Sequence, residues 1–178
     1  MSIFDKIKGT TQSPPRVASS EVIWSWIGAF LGIVLVGSFQ TIIVDSIGRS
    51  LLVGSFGATA VLVYGAIRSP LAQPRNVLGG HILSALVGVF SYQLAGDITW
   101  LAAALAVSTA IALMHVTKTL HPPGGATALI AVIGGDSIHE LGYLYALIPI
   151  GLGAVLLLAV ALVVNNIPKQ RHYPEFWL

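Results

Sequence analysis

The sequence has no cysteine and very few charged residues. Only 9% of its 178 residues are charged and 55% are hydrophobic, whereas soluble domains have roughly 25% charged residues. Without cysteine the chain cannot form disulfides, thiolate metal sites or a thiol nucleophile. The charges are too few to cover a surface in water, and the mean hydropathy is +0.84. Such a chain is stable only where lipid surrounds it, so we expect an integral membrane protein.

Patterns typical of two other classes of protein are also missing. The nine Lys and Arg residues do not form a basic run with interleaved aromatic residues, so no nucleic-acid partner is expected. No HExxH motif and no closely spaced group of histidines and carboxylates occurs. We therefore expect no metal, no other cofactor and no enzymatic activity.

Apolar residues are concentrated in six segments, which predict an all-α, polytopic membrane fold. A helix needs about 20 residues to cross the hydrocarbon core, so the second and fifth segments are expected to be short or partial spans. Pro70 and Pro74 predict a non-helical loop after the second segment. The transmembrane domain is predicted over residues 21–166, with cytosolic tails at 1–20 and 167–178. The segments are about 21–44, 51–67, 77–94, 98–116, 123–133 and 143–164.

The positive charges predict the orientation, because Lys and Arg are retained in cytosolic loops. With six crossings Arg49 is the one cation outside, on the same side as Asp45, Asp97, Asp136 and Glu140. With four crossings Arg49 shares a side with Arg68 and Arg75, which is a less clean separation. Both counts leave the two termini in the cytosol. The eight cations predicted inside are Lys6, Lys8, Arg16, Arg68, Arg75, Lys118, Lys169 and Arg171.

A six-residue pattern occurs twice, each time in the middle segment of a three-segment half. Gly57-Ala58-Thr59-Ala60-Val61-Leu62 is repeated as Gly125-Ala126-Thr127-Ala128-Leu129-Ile130. Three crossings per half would make the halves, about 21–96 and 97–166, inverted repeats of the kind found in many transporters. Chance similarity between two stretches rich in Ala and Gly is the alternative.

The second copy follows a polar stretch that interrupts the apolar chain. Lys118 and His121 precede Pro122 and Pro123, which suit the start of a helix. The N–H groups of Gly124, Gly125 and Ala126 are then expected to be free at its positive end, with the Thr127 hydroxyl as a further donor. This arrangement predicts an anion site. The alternatives are that the small residues only allow close helix packing, and that Thr127 bonds its own helix.

The first half has a related polar stretch on the side predicted to be cytosolic. Arg75, Asn76 and His81 place a cation, an amide and an imidazole within about two helical turns. With Gly57, Ala58 and Thr59 nearby, these residues are candidates for the same anion pathway. Arg75 is alternatively only an orientation charge.

The stretch from His121 to Ala128 resembles the signature of the HPP family of integral membrane proteins. Residues 69–76 and Gly79-Gly80-His81 are similar to that family's first-half motif. Members in cyanobacteria and plastids are associated with nitrite transport. The family is described with four transmembrane helices, which agrees with six segments if two are partial.

The resemblance implies a transporter or channel for a small monovalent anion, most specifically nitrite, in a bacterial or cyanobacterial inner membrane. Thr59 and Thr127 are the expected facing donors. The alternative is a non-transporting scaffold or sensor subunit whose glycines and prolines only shape helix packing. Because six short segments enclose little interior, we also expect a homo-oligomer.

Overall fold

A computed structural model describes residues 2–9, 11–39 and 53–178, and these residues form helices and no strands. The all-α prediction is confirmed. Residues 40–44 of the first predicted segment, residues 51–52 of the second, and Asp45 and Arg49 lie outside the described ranges. The helices are α1 (Ile3–Lys6), α2 (Ser19–Phe39), α3 (Gly54–Ala60, continued by a π-helical turn, Val61–Gly65), α4 (Pro74–Ala95), α5 (Thr99–Val116), α6 (Pro122–Ile133), α7 (Asp136–His139) and α8 (Leu152–Val164).

Among the described residues, four helical stretches are long and apolar enough to cross a membrane, and two further apolar helices are shorter. The long ones are α2, α4, α5 and the stretch Gly142–Val164, which ends in α8. α6 has 12 residues, and α3 with its π-helical turn spans Gly54–Gly65. A helix of this length measures about 18 Å, well short of the roughly 30 Å hydrocarbon core. The prediction of two partial segments is confirmed.

Prolines begin two of these helices. The prediction that Pro74 lies in a non-helical loop was wrong, because Pro74 is the first residue of α4, three residues before the predicted start. The first N–H groups of a helix have no partner within the helix, so proline loses nothing there. Pro70 also lies in a helical turn, the 3₁₀ turn Pro70–Ala72. Pro122 begins α6 in the same way as Pro74 begins α4.

The last long stretch is not one continuous α-helix. It consists of a 3₁₀ turn (Gly142–Ala146), a π-helical turn (Leu147–Gly151) and α8. Ile148 has φ −133° and ψ 117°, which is an extended conformation. Pro149 follows it, and a residue before proline is disfavoured in the α region. The predicted sixth segment is thus present but broken near its start.

Small residues allow α5 to pack closely on its neighbours. Ala102, Ala106 and Ala110 recur every four residues on one face of α5 and are fully buried with Met114. Where lipid replaces water, close contact between helices provides most of the packing energy, and small side chains permit it. α5 thus packs against both α4 and α6.

The C-terminal segment after α8 is packed against the helices. Arg171 is 5% exposed, and its Nη2 donates to the carbonyl oxygen of Tyr64 at 2.6 Å. Its Nε lies 3.3 Å from Glu21 Oε2, close enough for an ion pair but without hydrogen-bond alignment. Burial lowers the pKa of Arg171, and the charge of Glu21 opposes this shift. Tyr173 donates to the carbonyl oxygen of Ala72 at 2.6 Å.

These contacts bring several charged loops to one end of the bundle. The contacts of the C-terminal segment join the start of α2 to the loop after α3. Arg75 Nη2 donates to the carbonyl oxygen of Thr117 at 3.0 Å, which places the start of α4 beside the end of α5. This arrangement agrees with the six-segment plan, in which Arg75, Lys118 and Arg171 share a side. Which side faces the cytosol stays a prediction.

Candidate functional site

The two short helices α3 and α6 lie side by side and run antiparallel. Ser55 Oγ is 2.9 Å from Thr127 Oγ1, and Thr59 Oγ1 is 3.1 Å from His121 Nε2. As the residue number rises from 55 to 59 along α3, the number of the contacted residue falls from 127 to 121. An inverted repeat requires opposite directions for its two middle segments, although the repeat of the whole halves stays a prediction.

The threonines of the two GATA copies have equivalent positions in their helices. Each is the sixth residue, counted from Gly54 in α3 and from Pro122 in α6. Each hydroxyl also lies near the carbonyl oxygen four residues earlier, at 3.1 Å for Thr59 and 3.3 Å for Thr127. The expected alternative for Thr127, a bond to its own helix, is therefore present. It does not prevent contact with other helices.

His81 of α4 joins the two threonines. Its Nε2 lies 2.7 Å from Thr59 Oγ1, and its Nδ1 lies 2.8 Å from Thr127 Oγ1. The His81 ring meets the His121 ring edge to face, with centroids 4.9 Å apart. We call Ser55, Thr59, His81, His121 and Thr127 the His/Thr cluster. All five side chains are fully buried.

Two glycines allow the helices that hold these histidines to approach. A Cβ on Gly80 would lie 2.6 Å from His121 Cβ and 2.8 Å from the carbonyl oxygen of Thr119. A Cβ on Gly124 would lie 2.9 Å from the carbonyl oxygen of Gly80 and 2.7 Å from Ser84 Oγ. Cβ atoms do not fit at such distances, so glycine is required at both positions. Gly124 thus has the packing role that was the alternative to anion binding.

Of the three N–H groups predicted to be free at the start of α6, that of Gly124 has a partner. The N–H of Gly124 donates to the carbonyl oxygen of His121 at 2.8 Å. Gly124 is buried against α4, while Gly125 and Ala126 are only half-buried and Pro122 is exposed. Tight packing of α6 on α4 thus covers Gly124, and anion binding at this helix end stays a prediction. Pro123 is buried, and its carbonyl oxygen lies 3.3 Å from Thr127 Oγ1.

The other predicted site residues lie away from the cluster. Gly57 and Ala58 are on the exposed side of α3. Asn76 is buried, and its Nδ2 donates to the carbonyl oxygen of Leu120 at 2.9 Å, which fixes the chain just before His121. Arg75 caps the carbonyl of Thr117 at the end of α5, as described above. The structure thus brings together Thr59, His81, His121 and Thr127.

Lys118 is exposed and lies just after the end of α5. Its φ of 57° is in the left-handed region. The N–H of Lys118 donates to the carbonyl oxygen of His115 at 3.2 Å, and that of Thr119 to Met114 at 2.9 Å. This pair of bonds is a Schellman motif, in which the left-handed position usually holds glycine. The backbone of Lys118 therefore has a structural role that the sequence analysis did not identify.

Sequence reasoning missed two members of the site. Ser55 lies four residues before Thr59, on the same face of α3, so helical spacing was the signal that could have found it. Tyr145, from the broken last stretch, donates its hydroxyl to the carbonyl oxygen of Thr127 at 3.2 Å. No local pattern links Tyr145 to residues of α6, because the chain between them forms α7 and a turn.

The other three histidines lie outside the cluster. His115 and His172 are exposed. A ring nitrogen of His139 lies 2.9 Å from the carbonyl oxygen of Val132, and its ring stacks on Tyr92 with centroids 3.7 Å apart. Within the described ranges, no three His, Cys, Asp or Glu side chains are arranged to hold a metal ion.

Comparison with known proteins agrees with the resemblance seen in the sequence. The family model described as "HPP, transmembrane region" matches residues 14–174. A transmembrane protein of Dictyostelium discoideum is 44% identical over 177 residues, covering 98% of this chain and 57% of that protein. A second from the same organism is 42% identical over 174 residues, covering 95% and 60%.

This chain thus spans about three fifths of the length of these relatives. No solved structure matches it. The family match covers nearly all of the described helices, including every member of the His/Thr cluster. The chain belongs to the HPP family of transmembrane proteins.

Proposed function

We propose that this protein is a transporter or channel for a small monovalent inorganic anion, with nitrite as the specific candidate. The observation that supports this is the His/Thr cluster, buried where two half-length helices meet inside a membrane protein. Polar and ionisable side chains inside membrane domains mark substrate and ion pathways. Transporters commonly form such sites at short, antiparallel helices from related halves.

The chemistry of the cluster favours an anion over a cation. Its members are hydroxyls and imidazoles, which offer N–H and O–H donors. Among the described residues, no carboxylate reaches the cluster: Glu21 is beside Arg171, and the other described Asp and Glu residues are exposed. A pathway for a hard cation would instead require carboxylate or carbonyl oxygen ligands. Nitrite, in particular, is supported by the resemblance to family members associated with nitrite transport.

Reconstitution provides the direct test. Purified protein in liposomes is expected to take up nitrite faster than empty liposomes of the same lipid composition. Competition with nitrate, formate and chloride then ranks the anions. Equal rates with and without protein would contradict the proposal and leave the non-transporting scaffold or sensor as the better explanation.

Two further expectations belong to this proposal. A homo-oligomer is expected because one chain of this size encloses little interior, and native mass spectrometry of the purified protein would measure it. The bacterial or cyanobacterial inner membrane also stays a prediction, and the relatives described above come from Dictyostelium.

A further inference from the structure

The hydrogen atoms of the His/Thr cluster can be assigned by starting from His121. Nδ1 of His121 lies 2.8 Å from the carbonyl oxygen of Leu71, and a carbonyl oxygen can only accept. Nδ1 therefore bears hydrogen, which leaves Nε2 of a neutral His121 as an acceptor. The described contacts offer this Nε2 one donor, the hydroxyl of Thr59 at 3.1 Å.

The assignment continues to the second histidine. Thr59 has one hydroxyl hydrogen, which can point to the Ser55 carbonyl oxygen or to His121 Nε2, each at 3.1 Å. That carbonyl is also within reach of the backbone N–H four residues later in α3, whereas His121 Nε2 has no other described donor, so we assign the hydrogen to His121. The contact of 2.7 Å between Thr59 Oγ1 and His81 Nε2 then requires that His81 Nε2–H is the donor. Thr59 is thus the link between two imidazoles, accepting from His81 and donating to His121.

The last nitrogen, Nδ1 of His81, can be either bare or protonated. If it is bare, it accepts the hydroxyl of Thr127 at 2.8 Å. If it is protonated, it donates to Thr127, whose hydroxyl then donates to Ser55 Oγ at 2.9 Å. The geometry accommodates both states, and the added proton turns the Thr127 hydroxyl from His81 towards Ser55.

A proton added here can move between the two rings without any change in the backbone. The His81 Nε2–H bond breaks as a new O–H bond forms on Thr59, and the original Thr59 O–H bond breaks as His121 Nε2–H forms. Two bonds break and two form, and the positive charge moves from His81 to His121. On His121 the charge lies beside Leu71, in the loop at the charged end of the bundle.

The protein provides no counter-charge for this proton within the part of the chain described. The titratable side chains nearest the two histidines are Tyr145 and Tyr173. The hydroxyl of Tyr145 donates to the carbonyl of Thr127, and that of Tyr173 donates to the carbonyl of Ala72, next to Leu71. Both are phenols, which are neutral near pH 7. An unpaired charge in a membrane interior is costly. A monovalent anion that enters with the proton cancels it.

We propose that His81 and His121 share one transported proton through Thr59, so that each anion crosses together with one proton and the transport is electroneutral. This inference rests on the proposed function, because it specifies how the anion is driven. It differs from a simple anion channel in one measurable respect. A channel responds to the membrane potential, whereas an electroneutral cotransporter responds to the pH difference.

Liposomes containing the protein test this with two separate gradients. Initial nitrite uptake is measured with an acidic exterior and no potential, and then with a potassium–valinomycin potential and no pH difference. Empty liposomes correct for leak of nitrous acid. We expect an acidic exterior to accelerate uptake and the potential to have no effect. Uptake that follows the potential alone would overturn the proton coupling and leave the proposed function intact, whereas no protein-dependent uptake under any gradient would contradict the proposed function itself.

Variants of the central link sharpen the test. Thr59→Val keeps the shape but removes the hydroxyl, and we expect it to lower proton-driven uptake about tenfold, as for loss of one hydrogen bond to a charged group. Thr59→Ser keeps the hydroxyl and should retain the response. Thr109→Val is the matched control, since Thr109 is exposed on α5. Full proton coupling in a monodisperse Thr59→Val protein would refute the relay.

A second variant covers the case in which Thr59→Val does not fold. His121→Asn keeps an amide N–H that can reach the carbonyl of Leu71 but has no group at the position of Nε2. Its nitrite uptake should lose the response to an acidic exterior. In wild-type protein, ¹⁵N NMR of labelled histidine should detect a change in His81 protonation when nitrite is added at acidic pH. Unchanged spectra and intact coupling in His121→Asn would both contradict the proposal.

Discussion

The backbones of Gly80 and Gly124 touch, so that a Cβ on Gly124 would lie 2.9 Å from the carbonyl oxygen of Gly80. This contact holds α6 against α4 and brings the rings of His81 and His121 together. Closely packed glycines are a common way for membrane helices to approach. Here the approach also has a chemical consequence, because it places two imidazoles within reach of one hydroxyl.

Gly124→Ala is expected to destabilise the protein by about 2 kcal/mol, because the new methyl group must push α6 away from α4. The neighbouring Gly125→Ala is the matched control, since its Cβ would meet only Val107 Cγ1, at 3.9 Å. Thermal unfolding of both variants in detergent measures the difference. Equal midpoints for the two variants would show that the close contact is not required.

Lys118→Gly is expected to stabilise the protein by about 1 kcal/mol relative to Lys118→Ala. Both variants remove the charge, but only glycine adopts the left-handed conformation without steric cost. Thermal unfolding of the pair provides the measurement. If the alanine variant is equally stable, the left-handed backbone at the end of α5 does not limit stability.

Tyr173→Phe is expected to lower stability by about 1–2 kcal/mol, because the buried carbonyl of Ala72 then loses its donor. Tyr143→Phe is the control, since Tyr143 is 47% exposed and its hydroxyl contacts Gln93 at 3.1 Å. Tyr143→Phe should lose little stability. If Tyr173→Phe is as stable as the wild-type protein, this hydrogen bond of the C-terminal segment contributes nothing measurable to stability.

Thr127→Val is expected to lower nitrite flux about tenfold without lowering expression, since the charged His81 loses the hydroxyl that accepts its Nδ1–H. The isosteric change preserves packing, and Thr109→Val on the exposed face of α5 controls for the substitution itself. Uptake into liposomes with equal protein content measures both. Unchanged flux would remove Thr127 from the pathway.

The local pattern was sufficient to predict four members of the cluster, and it was misleading for others. Thr59, Thr127, His81 and His121 stood out because they are polar residues in apolar or helix-breaking stretches. Gly57 and Ala58 were chosen for belonging to the same repeat, yet a helix turns about 100° per residue and places them on another face than Thr59. A repeated motif identifies the helix, whereas helical spacing decides which of its residues face inwards.

The start of α6 illustrates a second limit. Pro122, Pro123 and Gly124 correctly predict a helix N-terminus, because proline suits the first helical turn. Whether that end is open to a ligand depends on what packs against it, and Gly124 is closed off by Gly80 and Ser84. The residues that close the end are about 40 positions away in the chain, so no local pattern could reveal them.

The sequence by itself determined the membrane class, the all-α fold and the two short helices, because hydropathy and segment length act locally and lipid imposes them on every segment. Only the tertiary structure decided that Thr59, Thr127, His81 and His121 meet, and that a tail residue such as Arg171 is buried. Such contacts depend on the direction and crossing of helices that are distant in the chain. Packing in three dimensions sets those directions.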